Sequence, residues 1–110
     1  MSQHRITLHS PKLNARVDIQ IGYDRPLNHI YCVVELEGAR DEDDLVYSNV
    51  YDPERFGAQN VEVFEKPLAD IGITLPATVL ENVRSDQANR VVNRLVNYDA
   101  NGQITHSKQL

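Results

Sequence analysis

The sequence predicts an α+β fold, in which an antiparallel β-meander packs with two short helices and a C-terminal β-hairpin follows. Two observations predict it. Residues 5–51 contain runs that alternate polar and apolar side chains, the period of a strand with one buried face. Residues 60–87 instead repeat apolar side chains every three or four positions, as on one face of a helix. The length of 110 residues is that of one domain, and we expect residues 1–110 to form a single α+β domain.

Four strands are predicted in the first half of the chain. The clearest is 15–21, in which apolar and polar side chains alternate without a break. Residues 5–9 precede it, after which a turn containing proline interrupts the pattern. Residues 29–37 carry apolar side chains on both faces, which favours a central place in the sheet, and residues 45–51 form the fourth strand. Short polar connections between successive strands favour antiparallel pairing.

Two short helices are predicted after the sheet. The first begins near Pro67, because a proline in a helix interior costs about 3 kcal/mol, and Gly72 ends it. The second extends from Pro76 to Asp86, with the proline in its first turn.

Residues 90–98 fit either a helix or a strand. We favour a strand, because Asn101 and Gly102 follow it and can adopt the positive φ angles of a tight hairpin turn. Residues 103–107 are then the return strand. The helices are expected to pack on one face of the sheet. The expected core consists of Val17, Ile19, Ile21, Ile30, Val34, Leu36, Leu68, Ile71, Val79, Leu80 and Val83.

Composition limits the classes of partner. The formal net charge is −5, whereas proteins that bind nucleic acids neutralise phosphates with basic side chains, so we expect no nucleic-acid partner. No apolar run approaches the roughly 20 residues of a membrane span, and none at the start has the pattern of a signal peptide. The one cysteine, Cys32, allows no disulfide within the chain. We therefore expect a cytoplasmic protein without a membrane partner.

No catalytic motif is present in the sequence, and we predict no catalytic residue, metal ligand or cofactor. Cys32 lies on an apolar strand face, which favours a buried, unreactive thiol. The acidic run at 41–44 lacks the ligand spacing of a calcium loop, and we expect an exposed hairpin tip there. Four dispersed histidines are interpreted as surface residues rather than metal ligands. They are His4, His9, His29 and His106.

The connection between the second and third predicted strands contains the candidate binding residues. Asp24 is expected to accept backbone donors of the turn, and Pro26 to stiffen it. Arg25 precedes the proline, so we expect an extended backbone and an exposed side chain. We also expect the rings of Tyr23 and Tyr31 to be exposed, and an exposed arginine beside them is suited to a carboxylate or an acidic patch. We therefore predict a binding site at Tyr23, Asp24, Arg25 and Tyr31.

Residues 22–27 read Gly-Tyr-Asp-Arg-Pro-Leu, and an aromatic-apolar strand at 30–34 follows. This pattern resembles a family of small bacterial proteins of unknown function. Its members are similar in having an aromatic residue between the glycine and the aspartate, an acidic loop after the second strand, and a Leu-Pro step, here Leu75-Pro76. The chain differs from the family in having Tyr23 in place of tryptophan and a long extension at 90–110. The resemblance implies a small bacterial α+β domain and no activity.

Three functions remain open at this stage. The leading one is a non-catalytic accessory or interaction domain with a protein partner, because tyrosine is favoured at interfaces. The first alternative is a small-ligand or enzymatic site near the 22–28 loop. The second is an acidic mimic of nucleic acid, built from 41–44 with Glu35, Glu37 and Glu54. A homo-oligomer is also open. The tyrosines on which the leading function depends are Tyr23, Tyr31, Tyr47 and Tyr51.

Overall fold

The computed structural model describes residues 1–109 and contains a six-stranded sheet with two α-helices. The helices are α1 (Glu65–Asp70) and α2 (Ala77–Ala88). The sheet has the order β4-β3-β2-β1-β5-β6. The predicted α+β fold with a C-terminal hairpin is confirmed. The strands are β1 (Ser2–Ser10), β2 (Ala15–Asp24), β3 (His29–Leu36), β4 (Leu45–Ser48), β5 (Arg94–Tyr98) and β6 (Ile104–Gln109).

The first four strands form the predicted antiparallel meander, and β5 joins it on the other side of β1. This pairing is parallel, with Ser2 opposite Arg94 and Ile6 opposite Tyr98. The return strand β6 then pairs antiparallel with β5. The sheet is therefore mixed, and its first strand in sequence lies in its interior. A parallel neighbour requires a long connection, and here the chain between β1 and β5 contains the rest of the meander and both helices.

The helices cover one face of the sheet, and most of the expected core is confirmed. Strand alternation directs one set of side chains beneath α1 and α2 and leaves the other set on an uncovered face. Eight of the expected core residues are buried; they are Val17, Ile19, Ile21, Ile30, Val34, Leu68, Val79 and Val83. Leu36, Ile71 and Leu80 are only partly buried and pack against this core.

Strand β4 is shorter than predicted, because residues 49–51 form a 3-10 turn. The side chain of Asn49 is buried at the place where the strand would have continued. Its Oδ1 accepts the backbone N–H of Cys32 at 3.2 Å, and its Nδ2 donates to the carbonyl of Arg55 at 3.2 Å. The asparagine amide thus satisfies the backbone of β3 in place of a fourth-strand backbone, which frees residues 50 and 51 to turn outward.

Both helices begin near their prolines as predicted, and a glycine follows α1, whereas α2 ends at Ala88, two residues beyond the predicted Asp86. Pro67 is the third residue of α1, within the first turn, where a backbone N–H has no partner inside the helix. Gly72 follows α1 with a φ of +78°, and its N–H donates to the carbonyl of Ala69. Pro76 directly precedes α2. No helix within residues 1–109 combines the length and the apolar character needed to cross a membrane.

The C-terminal hairpin turns differently from the prediction. The connection spans residues 99–103, and only Gly102 has a positive φ, at +85°. The carboxylate of Asp99 accepts the N–H groups of Asn101 and Gln103, which stabilises this wider turn. Gly102 packs against the start of α2, where an added Cβ would lie 2.5 Å from the Cβ of Pro76. The prediction of a tight turn with Asn101 at positive φ is wrong, because Asp99 organises the loop instead.

Candidate functional site

The β2–β3 turn is built largely as predicted. The backbone N–H of Asn28 donates to the carbonyl of Arg25 at 3.1 Å, and the N–H of Leu27 donates to Oδ1 of Asp24 at 3.4 Å. Asn28 adopts the left-handed region, with a φ of 52°. The side chain of Arg25 is exposed, as expected. The turn therefore leaves one candidate binding residue, Arg25, free on the surface.

Tyr23 does not flank Arg25 on the surface, and the expectation of an exposed ring is wrong. Its side chain is 0% exposed, and its hydroxyl donates to Oδ1 of Asn28 at 2.8 Å. The cause is the period of the strand, because Tyr23 shares the inward face with Ile19 and Ile21. The same alternation was available in the sequence.

Tyr31 is also buried, although it lies on the uncovered face of the sheet. Its ring crosses Gly22, the residue opposite it on β2, and its hydroxyl donates to the carbonyl of Ser2 at 2.7 Å. The same hydroxyl accepts from Nε2 of Gln20 at 3.0 Å. Burial raises the pKa of Tyr31 to about 12, and the bond from Gln20 opposes this only in part. Tyr31 thus closes the sheet over a glycine and is not a free contact beside Arg25.

Gly22 has a steric role in this arrangement. A Cβ at this position would overlap the carbonyl oxygen of Ser2 and approach the hydroxyl of Tyr31. The hydroxyl of Ser2 in turn accepts the N–H of Tyr23 at 2.9 Å. Gly22 and Tyr23, in the segment that resembles the bacterial family, therefore hold β1, β2 and β3 together.

A buried polar cluster that was not predicted from the sequence joins β1, α2 and β5. Nε2 of His4 lies 2.5 Å from Oδ2 of Asp86, and its Nδ1 lies 2.7 Å from the hydroxyl of Tyr98. Arg94 donates to the other carboxylate oxygen of Asp86 at 2.9 Å. His4 is 0% exposed, so its interpretation as a surface residue is wrong. His9 and His106 are exposed, as expected.

The electrostatics of this cluster are those of a structural contact. Burial opposes ionisation of Asp86, but the hydrogen bonds from His4 and Arg94 outweigh it and hold the pKa of the carboxyl below its usual range. Burial raises the pKa of Tyr98. Asp86 is only 1% exposed, so a substrate has no access to the pair. A signal was present in the sequence, since Asp86 follows Val79 and Val83 at helical spacing.

Cys32 is buried, as predicted, and burial raises the pKa of its thiol to about 12. A thiol in this environment stays protonated and unreactive. Within residues 1–109, no three histidine, cysteine, aspartate or glutamate side chains are grouped to hold a metal ion.

The best exposed apolar group lies beside β4. Tyr51 is 78% exposed and Val50 is 61% exposed, and both line a depression of about 540 Å³ together with Leu45 and Val33. We call these four residues the β4 surface. None of them belongs to the predicted binding site, although Tyr51 was among the tyrosines that suggested an interface.

Hydrogen bonds fix the backbone that presents Val50 and Tyr51. The hydroxyl of Ser48 accepts the N–H of Val50 at 3.3 Å. On the far side of the turn, the hydroxyl of Tyr47 donates to Oδ2 of Asp52 at 2.8 Å, and Arg55 donates to the same oxygen at 3.1 Å. The β4 surface therefore sits on a segment that is held from both ends.

Acidic side chains border the β4 surface. Glu35, Asp41 and Glu42 line the same depression with one basic residue, Arg40. Residues 42–44 form a 3-10 turn, and Oδ1 of Asp41 accepts the N–H of Asp43 at 2.9 Å. Residues 41–43 are exposed as predicted, whereas Asp44 is half-buried. None of the three carboxylates on the depression forms an ion pair with another part of residues 1–109.

A second depression, of about 490 Å³, covers the centre of the open sheet face. Glu35 and Val33 line both depressions, so the two adjoin at these residues. Asp18 lies directly opposite Glu35 in the β2–β3 register and accepts the hydroxyl of Thr7 at 2.6 Å. Oδ1 of Asn97, also in this depression, is buried and has no hydrogen-bond donor within residues 1–109.

No protein-family model, curated protein or solved structure matches the chain. The resemblance of residues 22–27 to a bacterial family therefore stays a prediction, as does the bacterial origin it implies.

Proposed function

We propose that the chain is a non-catalytic interaction domain that binds a protein partner through the β4 surface. One observation carries this proposal: Val50 and Tyr51, two neighbouring apolar side chains, extend into solvent from a fixed turn and line the same depression. Contiguous exposed apolar groups with a polar border are typical of protein-binding sites. A tyrosine ring buries a large area in an interface while its hydroxyl keeps a hydrogen-bond partner.

The β2–β3 turn supports the same function less strongly. Arg25 and Leu27 are exposed there, and Phe56, which is 63% exposed, packs edge-on against His29 at 6.2 Å between ring centroids. Tyr23 and Tyr31, which were expected to complete an aromatic site around Arg25, are buried. We therefore propose the β4 surface, rather than the β2–β3 turn, as the partner-binding surface.

The two alternatives find partial support at most. A ligand site near residues 22–28 lacks a matching cavity among the depressions described above, neither of which is lined by Asp24 or Arg25. For the acidic mimic, Glu35, Asp41 and Glu42 border one depression. However, Glu37 pairs with Arg16 at 3.1 Å, which interrupts the row of free carboxylates.

The test compares capture of partners by the protein and by a double variant, Val50→Ser with Tyr51→Ser. Both side chains lie outside the core, so we expect the variant to fold, which far-UV circular dichroism checks. The matched control is Phe56→Ser, which removes a ring that is 63% exposed and lies outside the β4 surface. We expect the double variant to lose a protein that both the unmodified chain and the control retain. Equal recovery of every captured protein by all three would contradict the proposal.

A further inference from the structure

We infer that the partner presents a basic segment with one apolar anchor, which crosses from the β4 surface onto the open sheet face. This rests on the proposed function, because it specifies the partner of the same surface.

The charge around the β4 surface supports a basic partner. Glu35, Asp41 and Glu42 face one guanidinium, Arg40, so the border carries an excess of negative charge. Within residues 1–109 the three carboxylates are free of ion pairs, and the full chain is also acidic. Complementary charge on a partner would steer its approach and exclude acidic competitors.

The pair formed by Asp18 and Glu35 points to the same chemistry. The two residues lie directly opposite each other on neighbouring strands, where like charges destabilise the pairing. The nearby guanidinium of Arg5 is engaged elsewhere, donating to Gln20 at 3.1 Å and to Gln3 at 2.7 Å. A lysine or arginine side chain of the partner, placed between the two carboxylates, would neutralise them.

The apolar anchor is placed by the exposed side chains of the 3-10 turn that follows β4. Val50 and Tyr51 line the depression beside this turn, and Val33 lines both that depression and the one on the open face. Because Val33 and Glu35 line both depressions, a short extended segment can reach the carboxylates and the apolar side chains at once. An anchor side chain surrounded by charged neighbours is a common arrangement of binding energy in interfaces.

The experiment uses three fluorescein-labelled peptides of about 12 residues, a length typical of extended segments that domains bind. The first has a central leucine and tryptophan flanked by lysines on a glycine-serine backbone. The second has glutamates in place of the lysines, and the third has serines in place of leucine and tryptophan. Fluorescence anisotropy gives the Kd of each with the full chain.

We expect the first peptide to bind at least roughly tenfold more tightly than either of the others, a difference of about 1.4 kcal/mol. Its Kd should rise between about 50 and 300 mM NaCl, because exposed charges are screened over shorter distances at higher salt. The double variant Asp18→Asn with Glu35→Gln should weaken it several-fold. Glu81→Gln on the exposed side of α2 is the matched control and should not.

The inference is overturned if the glutamate peptide binds as well as the lysine peptide, if no peptide binds, or if Asp18→Asn with Glu35→Gln leaves the Kd unchanged. The proposed function fails separately. A captured partner that depends on Val50 and Tyr51, but is retained by the Asp18→Asn, Glu35→Gln variant, would refute the basic segment and keep the interaction domain. A captured partner that the Val50→Ser, Tyr51→Ser variant still binds as well as the unmodified chain would refute both the basic segment and the proposed function.

Discussion

Nε2 of His4 lies 2.5 Å from Oδ2 of Asp86, and both side chains are withdrawn from solvent. The contact joins a strand at the start of the chain to a helix near its end. Replacing Asp86 by alanine would leave His4 and Arg94 without their shared acceptor inside the fold. We expect Asp86→Ala to lower the free energy of unfolding by about 3–5 kcal/mol, the range for breaking a buried charged pair. Urea denaturation followed by circular dichroism measures the loss.

The control for this prediction is Glu81→Ala, on the same helix but exposed. Its effect should stay within about 0.5 kcal/mol, as for most surface substitutions. Equal effects of the two substitutions would show that the buried contact contributes little.

Lowering the pH should reduce the free energy of unfolding, in part because Asp86 becomes protonated. The pKa of this carboxyl is lower in the folded state than in an unfolded chain, where it is about 3.9. The unfolded state therefore binds the proton first, and the stabilisation from ionised Asp86 is complete above about pH 4 and is lost as the pH falls below that value. The free energy of unfolding, measured from pH 6 down to the acid limit, should fall more steeply for the unmodified chain than for Asp86→Asn. Parallel curves would contradict the assignment.

Gly22 and Gly38 should respond very differently to alanine. A methyl group at Gly22 meets the carbonyl of Ser2, a backbone atom that cannot move without disturbing β1. We expect Gly22→Ala to cost about 3 kcal/mol or more, as overpacking in a rigid core does. Gly38 has a φ of +73° and open space around it, so Gly38→Ala should cost only the backbone strain of about 1–2 kcal/mol. Thermal unfolding compares them, and an equal loss would show that the close approach to Ser2 is relieved at little cost.

Glu35→Lys should stabilise the fold. Glu35 and Asp18 are like charges that face each other directly, and a lysine at position 35 would form an opposite-charge pair with Asp18 instead. Such a cross-strand pair contributes about 0.2–1 kcal/mol to the free energy of unfolding. The urea midpoint should rise, and the rise should disappear when Asp18 is also changed to asparagine. A stabilisation that persists without Asp18 would have another source. The same substitution should abolish binding of the lysine peptide, so stability and binding would change in opposite directions.

Local periodicity in the sequence is enough to predict the strands, the helices and most of the core. The alternation through Val17 and Ile21 predicts the buried face of β2, and it also places Tyr23 inward. Tyr23 was expected on the surface because it adjoins the turn, but β2 continues through it to Asp24 and keeps its side chain on the inward face. The 3-10 turn at 49–51 was missed for another reason, because the buried amide of Asn49 replaces a backbone partner and no hydrophobic pattern records that.

The candidate site depends on contacts between distant parts of the chain, which local patterns do not encode. The contact of His4 with Tyr98 requires the parallel alignment of β5 beside β1. By pattern alone, the C-terminal hairpin could have paired with the free edge of β4 as well as with that of β1. Similarly, the exposure of Val50 and Tyr51 follows from where β4 stops. The acidic border could be predicted as a charged run, but its position against Val33 could not.

The interior place of β1 also has a consequence for synthesis on the ribosome. The meander β1 to β4 emerges from the ribosome before α2 and β5. At that point one edge of β1 is unpaired, and His4 lacks both of its partners, Asp86 and Tyr98. That edge can be covered only when Tyr98 has emerged, since Ile6 pairs with it. The sheet is therefore complete only after β5 has been made, and until then the newly made meander exposes a strand edge on which neighbouring chains can add.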